Sequence, residues 1–162
     1  LLDLVRPQPL HPVPTDVNQL VRETLILARD AAAGARIAFV PELAAGLPLV
    51  EADPGPIKQV LLNIVVNGIE AISGTGEIRI RTAADQPGRV TVSVADTGCG
   101  IAAAVRERIF DPFFSTKATG TGLGMAIARR IVDGHHGTIE IDSEEGCGTT
   151  VTIHFPARKM EG

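Results

Sequence analysis

Long apolar runs are missing from this 162-residue chain. None approaches the roughly 18 consecutive apolar positions that a membrane-spanning helix needs, and no direct membrane contact is expected of it. A basic excess is missing too. Fifteen Lys and Arg against 19 Asp and Glu leave a net charge of −4 and a pI near 5.5. A nucleic-acid groove would need Lys and Arg clustered on one face, so that class is set aside. Cysteine is scarce: Cys99 and Cys147 are too few for a secreted disulfide scaffold, and no signal-peptide pattern opens the chain. A reducing cytoplasmic setting follows as the expectation, whether or not a parent protein is anchored in a membrane. The start at Leu1, without Met, reads as a cut in a longer chain. No Walker-type phosphate loop, internal repeat or low-complexity tract occurs. What is present suffices for one domain of ordinary size, with 44% hydrophobic residues and a mean hydropathy of +0.20.

The order of elements is legible from periodicity and punctuation. Residues 1–14 carry four prolines and read as a linker or the tail of a preceding helix. Asp16 suits an N-cap, with Gln19 as its capping-box partner, and Val17, Leu20, Val21, Thr24, Leu25 and Leu27 give a helical face that runs to Gly34. A strand is expected over 36–40. A second helix opens at Asp53 and Pro54 and runs to about Ser73. Strands at 77–82 and 89–96 flank the turn residues 85–88 and form a hairpin. A short helix at 102–110, a helix from about 123 to 132, and strands at 137–143 and 149–155 complete the chain. Hairpins mixed with helices, without strict strand-helix alternation, predict an α+β sandwich. Its sheet is mixed and mostly antiparallel, with about three main helices on one face.

Four stretches carry candidate chemistry. On the second helix Gln59, Asn63, Asn67 and Glu70 fall within an arc of roughly 80° at about 100° per residue, and apolar side chains surround them. Such a stripe lines a cavity or finds partners, and an amide oxygen suits a cation held mainly by substrate phosphates. Alone it reads equally well as the polar face of an amphipathic helix. Asp96 ends a strand and opens a loop with Gly98 and Gly100. Backbone can approach a flat ligand closely there, while the carboxylate accepts from an exocyclic amine. The spacing from Gly98 to Ala103 mimics a dinucleotide fingerprint, but the βαβ context that the fingerprint requires is missing. Gly120, Gly122 and Gly124 precede a helix just after Lys117, so free N–H groups and the helix dipole await phosphates on a segment able to close. Gly146, Gly148 and Thr149 make a tight turn into the last strand.

In this order, Asn63-x-x-x-Asn67, Asp96-x-Gly98-x-Gly100, Phe110-x-Pro112-Phe113-Phe114, Gly120-x-Gly122-x-Gly124 and Gly146-x-Gly148-Thr149 resemble the N, G1, F, G2 and G3 boxes of sensor histidine kinase catalytic domains. The Phe-Phe-Ser-Thr-Lys stretch is similar to the nitrogen-regulation type. The resemblance covers about 15–156. It implies the two-layer Bergerat sandwich of the GHKL superfamily over 15–158, with 1–14 as the tail of a dimerisation hairpin and 159–162 as a tail. It further implies that ATP and Mg²⁺ are the cofactors, with Asn67 as metal ligand and Asn63 beside it. Asp96 would read the adenine amine, supported by Thr149 and flanked by Gly98, Gly100 and Ile101. Lys117, with Gly120, Thr121, Gly122, Leu123 and Gly124, would hold phosphates, and Asn63 and Lys117 would serve catalysis. Gly68 stands where the family usually has Ala, and His136 where a His-Gly-Gly turn usually has its first Gly. Neither position carries a ligand role in the family pattern.

The family's phospho-accepting motif, His-Glu-x-x-x-Pro or a close variant, does not occur in the chain. His11, His135, His136 and His154 read as structural, and the two cysteines as loop fillers that are mildly reactive if exposed. The activity implied is transfer of the γ-phosphate of ATP to a histidine on a separate helix hairpin, with a response regulator as indirect partner. One rival is a self-contained ATPase of the gyrase, mismatch-repair or chaperone kind. Asn63 argues against it, because those enzymes typically carry there a Glu that activates water, and an amide is no base. A second rival is a degenerate nucleotide-binding module with a regulatory role.

Overall fold

A computed structural model describes residues 9–112 and 124–158. Helix α1 spans Val17–Ala31, and its N-cap is Asp16, whose carboxylate accepts from the Asn18 N–H at 3.0 Å. Gln19 takes no part in the cap; its side chain meets Glu23 and Arg22 instead. Strand β2 (Arg36–Glu42) follows, then β3 (Val50–Ala52) and helix α2 (Pro54–Ala71). Next come β4 (Thr75–Ala83), β5 (Arg89–Asp96), the short α3 (Ala103–Arg106), α4 (Gly124–Gly134), β6 (Thr138–Glu144) and β7 (Gly148–Pro156). Pro54 occupies the first turn of α2, where a missing N–H costs nothing.

Five strands form one sheet in the order β2-β4-β5-β7-β6, with β2 parallel to β4 and the other neighbours antiparallel. The β4–β5 turn closes through Arg89 N–H to Gln86 O at 3.2 Å, with Gly88 at φ 75°. One face of the sheet is apolar: Ile78, Ile80, Val90, Val92, Val94, Val151, Ile153 and Phe155 are buried. Against them pack Leu20, Val21, Leu25 and Ala28 of α1, Val60, Leu61, Ile64 and Val65 of α2, and Met125, Ala128 and Val132 of α4. Each fully buried aliphatic side chain of this kind contributes about 1.5 to 3 kcal/mol. The other face carries exposed Arg79 with its partners Glu42 and Glu77. This is the expected α+β arrangement of a mixed, mostly antiparallel sheet with three main helices.

Three details depart from the sequence reading. Residues 13 and 14, expected as linker, form strand β1 (Val13–Thr15) together with Thr15, and β1 pairs antiparallel with β3 in a separate two-stranded ribbon. Thr15 Oγ1 secures it by bonding the Ala52 carbonyl at 3.0 Å. Three-residue strands are too short to show a period, which is why the pattern missed them. The helix expected at 102–110 ends at Arg106, and 107–110 continue as turns toward Pro112, which disfavours helix in the residue before it. Third, α4 runs on to Gly134. There His135 is buried, its ring edge-on to Phe155. Its Nδ1–H donates to Ile131 O at 2.8 Å, and its Nε2 accepts the Asp53 N–H at 3.0 Å. That ring ties the end of α4 to the start of α2, so the two helices that border the site share one fixed joint.

Candidate nucleotide site

The carboxylate of Asp96 is delivered by the last position of β5, a central strand paired with Ile78 on β4 and Thr149 on β7. Its Oδ1 accepts the Gly98 N–H at 2.8 Å. Burial raises its pKa above the ordinary carboxylate value, while backbone N–H groups of Gly98 and Thr149 pull it back down. The loop that follows lies against the end of α2. Cys99 N–H donates to the Ala71 carbonyl at 3.0 Å, satisfying one of the acceptors a helix end leaves open, and a Cβ on Gly98 would come within 2.7 Å of that same oxygen.

The same loop interlocks with the β6–β7 hairpin. Gly100 sits at φ 71°, where a Cβ would run into the Glu144 carbonyl oxygen. Gly148 sits at φ 95°, where a Cβ would run into the Asp96 carbonyl oxygen. Ser143 joins the two. Its hydroxyl accepts the Ile101 N–H at 2.8 Å, donates to Gly148 O at 3.0 Å, and meets Thr149 Oγ1 at 2.8 Å. Sequence reasoning did not single out Ser143; its one signal is the register that places it opposite Thr149. Cys99 and Cys147 are both free and exposed on these two turns.

The amide stripe lies on α2. Asn63 and Asn67 are half-buried, while Gln59 and Glu70 at the ends of the stripe are exposed. Helix α4 begins directly on Asn63: a Cβ on Gly124 would stand 2.8 Å from Asn63 Oδ1, and Asn63 Nδ2 faces Met125 Sδ at 4.0 Å. Amide oxygens one turn apart suit a hard cation that arrives on phosphates and keeps several waters. Gly68, one position beyond Asn67, is buried against Asp96, although the sequence reading attached no ligand role to it. Lys117, Gly120, Thr121, Gly122 and Leu123, the phosphate-side candidates, lie outside the described residues, as do Phe113 and Phe114. The structure thus brings together Asp96, Gly98, Gly100, Ile101 and Thr149 at one end, and Asn63, Asn67 and Gly124 along α2. A separate open groove, lined by Glu42, Ala44, Arg81 and Asp85, includes none of these residues.

Residues 52–159 match the model of the histidine kinase-, DNA gyrase B- and HSP90-like ATPases. The chain belongs to that family. Within it, the similar proteins include sensor histidine kinases. The signal transduction histidine-protein kinase AtoS of Escherichia coli is 44% identical over 156 residues, which are 96% of this chain and 26% of AtoS. The catalytic domain of histidine kinase ThkA superposes with a TM-score of 0.81 at 38% identity, covering 91% of this chain and 96% of that domain. Full-length ShkA, crystallised with AMPPNP, gives a TM-score of 0.85 at 30% identity over 98% of this chain and 34% of ShkA. This chain is therefore a catalytic, ATP-binding domain of the sensor histidine kinase kind, and it spans about a quarter of the length of AtoS. Among the described residues of the domain, no helix is long and apolar enough to cross a membrane.

Proposed function

We propose that this domain binds Mg²⁺-ATP and hands its γ-phosphate to a histidine on a separate helix hairpin of the parent protein. In this reading Asp96 accepts a hydrogen bond from the adenine amine, with Gly98 and Gly100 letting the loop lie close to the base and Thr149 supporting it. Asn67, and Asn63 beside it, would hold Mg²⁺, which when bound would neutralise the phosphates. Lys117 and the glycines at 120, 122 and 124 would grip the phosphate end. The histidine nitrogen attacks the γ-phosphorus, the bond to the β-bridging oxygen breaks, and ADP leaves with that electron pair. Such a transfer asks the protein for positioning and charge neutralisation rather than for a base of its own.

The observation that carries this reading is the amide at Asn63, packed against the start of α4 at the position where a self-contained ATPase needs a carboxylate. Other support is coarser. The family is one of ATPases, and ThkA is known in complex with the response regulator protein TrrA. By that likeness a response regulator takes the phosphate from the parent kinase. Residues 15–158 would be the folded unit, 1–14 its link to the hairpin and 159–162 a tail, all in the cytoplasm.

The test uses γ-labelled ATP with Mg²⁺. Alone, the chain is expected to release little phosphate and to carry no acid-labile label. Mixed with the histidine-bearing hairpin, it should yield phosphohistidine on the hairpin, and Asn67→Ala should abolish that transfer. Robust hydrolysis by the isolated chain would overturn the reading in favour of a gyrase-like ATPase.

A further inference from the structure

The hydroxyl of Ser143 has every hydrogen-bonding position in use. A serine hydroxyl carries one hydrogen to donate and two lone pairs that accept. The Ile101 N–H can only donate, so it takes one lone pair at 2.8 Å, and the Gly148 carbonyl can only accept, so it takes the hydrogen at 3.0 Å. The contact with Thr149 Oγ1 at 2.8 Å must then run the other way, with the Thr149 hydroxyl donating into the second lone pair. Thr149 keeps no hydrogen for any other partner. Toward its remaining neighbours it is an acceptor only. Among those neighbours is Asp96, which stands directly opposite Thr149 in the β5–β7 pairing. Opposed residues of an antiparallel pair share one face of the sheet, with Cβ atoms about 4.5 to 5.5 Å apart. A threonine hydroxyl free to turn beside a carboxylate would donate to it, because a charged acceptor makes the stronger bond. Ser143 holds that hydrogen away.

We infer that Ser143 is a specificity-determining positioning residue: by taking the Thr149 hydrogen it keeps this end of the site a set of acceptors, the Asp96 carboxylate and Thr149 Oγ1, and so favours a purine whose six-position carries a donor amine over one that carries a carbonyl. The inference rests on the proposed reading of Asp96 as the acceptor for the adenine amine. Ser143 acts through Thr149 rather than on the base. Without it, the freed threonine hydroxyl has two turns open, and both narrow the preference. Donating to Asp96, it occupies an oxygen that the amine needs. Donating to a six-carbonyl, it gives the wrong base a partner that the acceptor-only site withholds, which is discrimination by an unpaired polar group undone.

The experiment is calorimetric titration with Mg²⁺-ATP and with Mg²⁺-ITP, whose base carries a carbonyl where adenine carries its amine. The 162-residue chain is compared with Ser143→Ala, Thr149→Val, the double variant and Asp96→Asn, each first shown to melt cooperatively above the titration temperature. The wild-type chain should prefer ATP by about thirtyfold or more. Ser143→Ala should cut that ratio by about fivefold or more. Thr149→Val removes the hydroxyl at nearly constant shape, so it should lower the ratio too, and it keeps the test open if the alanine variant does not fold. In the valine background, adding Ser143→Ala should move the ratio by less than about twofold, because the route through Thr149 is already gone. A Ser143→Ala chain that loses both nucleotides by one common factor has a loosened loop and overturns the inference. So does an unchanged ratio in Thr149→Val, or a ratio that Ser143→Ala still moves in the valine background. A wild-type chain without preference, or an Asp96→Asn chain that keeps the full preference, sinks the adenine assignment and takes this inference with it. A preference that depends on Asp96 but not on Ser143 removes only the inference.

Discussion

The two ends of the site are held by different means. At the end proposed to take the base, Asp96, Gly98, Gly100, Ser143, Gly148 and Thr149 are locked by backbone contacts and hydrogen bonds between two hairpins and the end of α2. Along α2, Asn63 and Asn67 present amides from a buried helix, and the neighbour of Asn63 is the first turn of α4, whose upstream segment lies outside the described residues. One end is shaped by close-packed main chain; the other is shaped by side-chain amides. On the proposed reading, the difference suits a site in which a flat base is recognised by main-chain geometry, while phosphates and cation are met by side-chain amides.

The sharpest way to break that comparison is to crowd the base end. Gly100→Ala would drive a Cβ into the Glu144 carbonyl from a left-handed backbone. A loss of about 2 to 4 kcal/mol in urea denaturation is expected, with loss of nucleotide binding. Gly146→Ala is the control. It shares the positive φ, at 84°, but meets nothing within 4 Å, so only the backbone penalty of about 1 kcal/mol should appear. Equal losses at both positions would mean that close packing adds nothing at the base end.

Next in size is Asp96→Asn, which under the proposed reading exchanges an acceptor oxygen for an NH₂ facing the adenine amine and should then weaken ATP binding by about 1 to 3 kcal/mol. Its effect on folding should have the opposite sign or vanish. Burial raises the folded pKa of Asp96, so the stability linked to this group is present when it is protonated and declines as pH rises through the raised folded value. At neutral pH the neutral amide should therefore leave melting unchanged or slightly higher. ATP affinity should fall on acidification from just above the ordinary carboxylate range, and that pH dependence should shrink in the variant. A variant that melts well below wild type would show instead that the ionised carboxylate is structural.

Ser143→Ala probes the link between the hairpins with a smaller expected effect. It leaves the Ile101 N–H and the Gly148 carbonyl without the hydroxyl that joins them, at a cost of about 1 to 2 kcal/mol. Thermal melting measures it. A change within about 0.5 kcal/mol would place Ser143 among ordinary surface residues.

These sites also show how far the sequence was legible. Helix α2 and strand β5 could be read because both are amphipathic or buried over many residues, so their polar exceptions, Asn63, Asn67 and Asp96, stood out against Val60, Leu61, Val92 and Val94. Ser143 did not stand out, since a serine in an alternating strand looks like any outward position, and its importance comes only from the register that brings it to Thr149. The parallel pairing of β2 with β4 was equally silent, because it joins segments 39 residues apart (Arg36 to Thr75) with no local turn to announce it. Gly68 was visible as an odd helix residue, but its approach to Asp96 depends on how α2 lies across the sheet.

The smallest expected effect lies outside both ends, at His136. This residue follows α4 and holds φ at 61°, the only positive value at a non-glycine position among the described residues. Its N–H bonds to Asp133 O at 3.0 Å, and the next N–H, of Gly137, reaches back to Val132 O at 3.0 Å, so the turn closes the helix and the left-handed residue cannot relax without opening it. A side chain in this conformation costs roughly 1 to 2 kcal/mol, and histidine tolerates it better than most residues. Glycine removes that penalty but gains unfolded-state freedom, which offsets part of the benefit. His136→Gly should therefore stabilise by about 0.5 to 1 kcal/mol, a rise of a few degrees in melting temperature. His136→Ala removes the same exposed imidazole while keeping a Cβ, and it should show no gain. Because the base end and the amides of α2 are untouched, ATP affinity should stay at the wild-type value in both variants. Matching melting curves for the glycine and alanine variants would mean that the turn stores no backbone strain.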